Sequence, residues 1–151
     1  MEQQDIFCRF SPDRSNILAL LHALQDNNPR NYLTENALKA AAKHLNVNLS
    51  WVHGVAGYYS MFSLVPRGRY ILRVCNSPVC NMMGSTSLIE TLCKILGVKV
   101  GETTSDWLFT VEEAECLGIC DVAPAMMVNR TVYGNLTPES VTAVLEELRI
   151  R

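Results

Sequence analysis

Four cysteines in this chain stand in two close pairs: Cys75 and Cys80, with four residues between them, and Cys116 and Cys120, with three. Thiolates are soft donors, so two pairs far apart in sequence can offer four sulfurs to one metal centre. Each pair lies beside residues that let backbone wrap tightly, Asn76 and Pro78 in the first and Gly118 in the second. The favoured reading is an iron–sulfur centre of the [2Fe–2S] type, which takes four anionic ligands spread over two irons. Such a centre accepts one electron with little rearrangement, so electron transfer is the chemistry it implies. Structural zinc is a competing reading; its ligand pairs are usually two residues apart, though wider gaps occur. Disulfides are a third. A thioredoxin-type dithiol requires Cys-x-x-Cys, which the sequence lacks. A Rieske-type centre requires two histidines in the cluster loops, whereas His22, His44 and His53 lie elsewhere. Cys93 falls on the apolar face of a helical stretch and reads as a buried thiol. Cys8 falls in an N-terminal segment expected to be mobile.

The elements that must bring the pairs together can be read from periodicity. Ser11-Pro12-Asp13 marks a helix start, with Ser11 as the cap, and Ile17, Leu18, Leu20, Leu21 and Leu24 supply its apolar face. Thr34 caps a second helix whose inner face is Ala37, Leu38, Ala41, Ala42 and Leu45. A third is expected from about Asn48 to Phe62, with a bend or close helix contact at Gly54 and Gly57. The pattern changes at Arg69. Tyr70, Leu72 and Val74 alternate with Arg69, Ile71 and Arg73, a strand that delivers the chain to Cys75, with the two arginines on a solvated face. Gly84 to Gly97 is helical, Trp107 to Val111 a second strand, and Ala125–Val128 with Thr131–Tyr133 a hairpin. Thr137-Pro138-Glu139 opens a final helix. Residues 1–66 therefore form a helical region, and 67–151 run β-α-β-β-α, an α/β domain with helices on a mixed sheet.

The bulk properties limit the function. The chain has 151 residues, 48% hydrophobic and 19% charged, enough to bury a core. Its net charge of −2 and lack of any basic block argue against nucleic acid. No apolar run approaches the ~18 residues of a membrane span. The polar start from Met1 to Asp5 does not read as a signal peptide, so a cytoplasmic setting is expected, where paired cysteines serve metals or redox chemistry.

The stretch Val74-Cys75-Asn76-Ser77-Pro78-Val79-Cys80, with Gly84 downstream, resembles the first cluster loop of the small thioredoxin-like [2Fe–2S] subunit of NADH dehydrogenases. Gly101-Glu102-Thr103-Thr104, Glu115-Cys116-Leu117-Gly118-Ile119-Cys120, Ala123-Pro124, Tyr133 and Leu136-Thr137-Pro138 are similar to that family's second half. Upstream, Gly57-Tyr58-Tyr59-Ser60-Met61-Phe62 is similar to its aromatic helix end. The resemblance covers the chain from roughly Pro29 onward. Two departures stand out: Asn81-Met82-Met83 precedes Gly84 where many relatives have an Arg, and Trp107 follows Asp106 where Gly is more usual.

The resemblance implies a thioredoxin-like [2Fe–2S] ferredoxin domain over 67–151, preceded by an N-terminal helical bundle over 1–66. It implies one [2Fe–2S] cluster on Cys75, Cys80, Cys116 and Cys120, and no catalytic residue on this chain. FMN and NAD(H) are expected on a larger iron–sulfur flavoprotein partner, with further iron–sulfur subunits beside it. The family occurs in respiratory complex I, NAD-linked hydrogenases and formate dehydrogenases, and electron-bifurcating assemblies. The chain lacks a Gly-rich dinucleotide fingerprint of its own, in keeping with NAD(H) binding elsewhere. Two alternatives remain beside this reading: a free-standing thioredoxin-like ferredoxin and a zinc-stabilised binding module. The helical region favours the subunit over the free carrier, which has little need of it.

Overall fold

The computed structural model describes residues 3–150. Met1, Glu2 and Arg151, and with them the first part of the polar N-terminal stretch, lie outside the described residues. By contact the chain divides into two compact units, one ending at Arg67 and the other beginning at Gly68.

The first unit is helical: α1 (Gln3–Cys8), α2 (Ile17–Asp26), α3 (Glu35–His44) and α4 (Leu49–Tyr58). Its core is the set of apolar positions repeating at helical spacing, with Leu20, Leu21, Leu38, Ala41 and Val52 essentially inaccessible. Cutting one such leucine to alanine costs about 2–5 kcal/mol. α1 was not foreseen: Cys8 ends a helix instead of floating in a mobile segment, although its side chain is exposed. Ile6, fully buried in the same core, is what anchors that helix. The start of α2 also differs from expectation. Asp13, not Ser11, is the cap; its carboxylate accepts from Ser15 N–H at 2.8 Å and opens a 3-10 turn at Arg14–Asn16. Ser11 instead accepts from the Asn16 side chain. Thr34 caps α3 as foreseen, its hydroxyl accepting from Ala37 N–H at 3.1 Å. α4 ends at Tyr58, short of Phe62, because Tyr59 turns extended. A Cβ at Gly54 or Gly57 would meet nothing within 4 Å, so neither glycine marks a close helix contact.

The second unit is a four-stranded sheet in the order β2-β1-β3-β4, built from β1 (Tyr70–Cys75), β2 (Phe109–Ala114), β3 (Met126–Val128) and β4 (Thr131–Tyr133). β1 and β2 are parallel; β3 runs antiparallel to β1 and to β4. A parallel neighbour needs a crossover, and α6 (Ser85–Leu96) provides it. Leu88, Ile89 and Leu92 from α6 and Val141, Leu145 and Leu148 from α7 (Pro138–Ile150) share a core with Tyr70, Leu72 and Val74. Of the two arginines expected on a solvated face, Arg69 is exposed just before β1, but Arg73 is not: every residue of the strand is buried. Arg73 is only 6% exposed and its Nε donates to Glu112 Oε2 at 2.9 Å. β2 begins at Phe109, two residues later than expected, because Trp107 takes a left-handed turn with φ 60°.

Candidate metal centre

Strand topology accounts for the meeting of the two cysteine loops. In the parallel β1/β2 ladder Cys75 lies opposite Ala114, so both strands finish at the same edge of the sheet. Asn76 N–H then donates to Ala114 C=O at 2.8 Å, and the Asn76 side chain to Glu113 at 2.9 Å, tying the two exits together. Cys116 follows two residues after Ala114. Crevices beyond the carboxyl ends of parallel strands are where open α/β sheets place their functional groups.

The first loop is a short helix, α5 (Pro78–Met82), not an irregular turn. Pro78 occupies the first helical position, where a missing N–H is harmless, and Cys80 sits two residues further on. Cys75 and Cys80 are each 1% exposed and pack with Ala123 and Leu117 in a small cluster of their own. The second loop is open. Cys116 and Cys120 are exposed, with their sulfurs 3.8 Å apart. Gly118 lies between them at φ 76°, a conformation that brings its N–H to Cys116 Sγ at 3.4 Å. This is the close approach of backbone to sulfur that the glycine suggested from sequence.

The loops touch. Burial opposes ionisation of Cys75, but the Ser77 hydroxyl and the backbone N–H groups of Leu117 and Ser77 outweigh it and hold this thiol below its ordinary range. Leu117 lies inside the second pair and packs against Cys75 and Cys80, so the second loop reaches the first. Cys80 is pushed up by burial and by its contact with Cys75, against a backbone N–H from Ala125. Ala125 also accepts from Cys75 N–H at 3.1 Å, after a cis Ala123–Pro124 peptide. The Cys120 thiol is pushed up by its hydrogen bond with Cys116 and that sulfur's charge, with Cys80 and Cys75 adding to the effect. The four sulfurs thus feel one another across the two loops.

Family comparison agrees with this geometry. The model of the thioredoxin-like [2Fe-2S] ferredoxin family matches residues 3–149. The chain belongs to that family. Among family relatives, a subunit of the NADH-quinone oxidoreductase of Mycobacterium tuberculosis (strain ATCC 25618 / H37Rv) is 36% identical over 149 residues, covering 99% of this chain. The same-named polypeptide of Pseudomonas aeruginosa is 35% identical over 156 residues, covering 95% of this chain and 94% of its own length. That of Buchnera aphidicola is 41% identical over 120 residues. The chain spans 58% of the mycobacterial relative. Among solved structures, NAD+-reducing [NiFe]-hydrogenase in the air-oxidized state superposes with a TM-score of 0.79 over 99% of this chain and 24% of that one. At 24% identity this likeness speaks to the fold. The family fold, a thioredoxin-like [2Fe–2S] ferredoxin with helices at its N-terminus, is therefore the fold of this chain.

The donor set fits the cluster that the family name denotes. All four cysteines are free thiols. Among the described residues no three His, Cys, Asp or Glu side chains are grouped so as to hold a metal ion as they stand. The sulfurs stand instead as two pairs, and two irons ask for two protein sulfurs each. When bound, such a cluster supplies a one-electron couple. Gly118 N–H donates to Cys116 Sγ at 3.4 Å, and the backbone N–H groups of Ser77 and Leu117 at Cys75 and of Ala125 at Cys80 favour negative charge on those sulfurs.

Other residues weighed from sequence fall outside this site. Cys93 is half-buried against the second unit's core, and burial pushes its thiol up, with Glu113 and Glu102 adding to the effect. His44 meets Phe10 C=O at 2.9 Å, His53 lies 3.1 Å from Glu35, and His22 packs on the Phe62 ring. Met82 and Met83, beside Cys80, are 87% and 58% exposed, so they fill no gap in a core. Tyr58 is exposed, while Phe62 is buried in the first unit. Sequence reasoning missed Ser77 and Ala125 as sulfur neighbours. The signal for Ser77 was present: a hydroxyl residue just before a helix-opening Pro78, between two candidate ligands.

Proposed function

We propose that this chain carries one [2Fe–2S] cluster on Cys75, Cys80, Cys116 and Cys120 and passes electrons as a subunit of an NAD(H)-dependent, flavin-containing oxidoreductase complex. What supports the ligand set is contact between the loops: Leu117, from within the Cys116/Cys120 loop, packs against the buried Cys75, Cys80 and Ala123. In this reading a loop pair so joined offers two thiolates to each of two irons. The subunit role draws on the relatives named as subunits of NADH-quinone oxidoreductase. In this reading NAD(H) and FMN sit on a larger iron–sulfur flavoprotein, further iron–sulfur subunits continue the path, and this chain performs no bond chemistry of its own. Residues 1–66 form a helical domain and 67–151 the cluster domain, in a cytoplasmic complex. No helix among the described residues is long and apolar enough to cross a membrane.

Purification of the full chain without air, followed by iron, zinc and acid-labile sulfide analysis and a spectrum after dithionite reduction, tests the cluster. The expected result is about two irons and two sulfides per chain with a one-electron paramagnetic signal on reduction. A colourless protein holding zinc and no sulfide overturns the reading. Affinity purification from native cells tests the subunit role: a co-eluting flavoprotein is expected, and a red-brown monomer alone indicates the free ferredoxin.

A further inference from the structure

The Ser77 side chain stands at an unusual place for a serine that caps a helix. It is the N-cap of α5, with extended backbone (φ −82°, ψ 159°), yet its side chain makes no cap hydrogen bond. Serine at such a position ordinarily accepts from the N–H two or three residues on, stabilising the first turn. Here the side chain is turned inward, and the residue is 6% exposed. Its Oγ lies 3.4 Å from Cys75 Sγ. In the free thiol form Cys75 S–H donates to Ser77 Oγ. A metal-bound thiolate has no proton to give, and a hydroxyl is a rotor that can act as donor or acceptor. The O–H then turns to donate to sulfur.

We infer that Ser77 is a positioning residue that raises the reduction potential of the cluster, by donating its buried hydroxyl hydrogen bond to the Cys75 sulfur. This rests on the ligand role proposed for that cysteine. The physical reason is a difference between two charge states. Reduction adds one negative charge, shared by the ligand sulfurs. A hydrogen bond to a charged acceptor is stronger than one to a less charged acceptor, so the donor favours the reduced state. The sulfur that Ser77 meets is buried, Cys75 being 1% exposed, so water does not screen the charge and a single fixed dipole has most effect. The missing cap bond sharpens the case. Removing the hydroxyl takes nothing from the α5 backbone, so a change in potential is not a by-product of a frayed helix.

The test is a redox titration of the reconstituted full-length chain, comparing wild type with Ser77→Ala and Ser77→Thr. Ser77→Ala is expected to lower the midpoint potential by about 59 mV, a tenfold shift in a one-electron equilibrium. Ser77→Thr, which keeps the hydroxyl, is expected to stay near wild type. An unchanged or raised potential in Ser77→Ala, or a fall in Ser77→Thr as large as in Ser77→Ala, overturns the inference. If Ser77→Ala takes up no cluster, the wild-type protein decides the matter. Brief exposure of the reduced holoprotein to D2O exchanges hydroxyl protons well before hydrogen-bonded backbone amides. Electron–nuclear double resonance should then show one strongly coupled proton replaced by deuterium; its absence overturns the inference. Wild-type protein that binds no [2Fe–2S] cluster refutes the function proposed above, a distinct outcome from a loaded cluster whose potential ignores Ser77.

Discussion

The Arg73–Glu112 pair offers the sharpest check on how the sheet positions its cysteines. The two residues face each other on the β1/β2 ladder, two positions before Cys75 meets Ala114. Breaking a buried pair by removing one partner costs about 3–5 kcal/mol, because the remaining charge is left desolvated. The two halves are not equivalent. Glu112→Leu leaves a guanidinium whose side chain is 8% exposed, and about 3–4 kcal/mol is expected. Arg73→Met leaves a carboxylate that is 21% exposed, which water partly serves, and about 1–2 kcal/mol is expected. The double variant puts apolar side chains at both positions and should lie within about 1 kcal/mol of wild type. The coupling energy is then about 4–6 kcal/mol, a large share of the roughly 5–15 kcal/mol that holds a domain folded. Urea unfolding of the reduced apoprotein, followed by Trp107 fluorescence in a Trp51→Phe background, reads the second unit alone. Glu112→Leu within about 1 kcal/mol of wild type would refute the reasoning. A double variant as unstable as the two single changes summed would do the same.

Other outcomes follow from the same structure. Loading the cluster should raise stability by about 3–4 kcal/mol, because it closes the 35-residue span from 81 to 115; Cys116→Ser should abolish that gain in calorimetry with and without iron and sulfide. At Trp107, with φ 60°, Trp107→Ala should be less stable than Trp107→Gly by about 1 kcal/mol, reversing the usual order of those two residues. A Cβ at Gly134 would come within 2.5 Å of the Val122 side chain, so Gly134→Ala should cost about 1–3 kcal/mol, partly restored by adding Val122→Ala. The Asp106 carboxyl is held below its usual range by hydrogen bonds from Thr104 and from Leu108 N–H, against slight desolvation. Its contribution is therefore full above the unfolded value of about 3.9 and lost as pH falls through the lower folded value. Asp106→Asn should flatten that acid limb in melts between neutral pH and about pH 3.

The sequence disclosed most where one residue's chemistry decided the outcome. Thr34 could serve only as a cap once the apolar spacing after it was seen, and Thr137 beside Pro138 was similarly plain. Spacing and flanking residues located the cysteine loops because the strand ends before them, Pro78 in the first and Gly118 in the second are local signals. What stayed hidden depended on partners distant in the chain. Arg73 reads as a solvent residue until Glu112, 39 positions away, is placed opposite it. α1 has no strong local signal, and its order comes from Ile6 being buried by the other helices. Trp107 has an ordinary strand former's side chain, so local preference extended β2 backward into a turn. The more usual Gly of the family at that position carried the hint, since a left-handed backbone suits glycine.

The two cysteine pairs differ in one respect with practical weight: Cys75 and Cys80 are walled in, whereas Cys116 and Cys120 face outward. Dioxygen and peroxide would then attack a bound centre from the second loop first, and decay in air should begin by loss of the iron held there. Handling under argon, and tracking which thiols become alkylatable as colour fades, would reveal that order of disassembly.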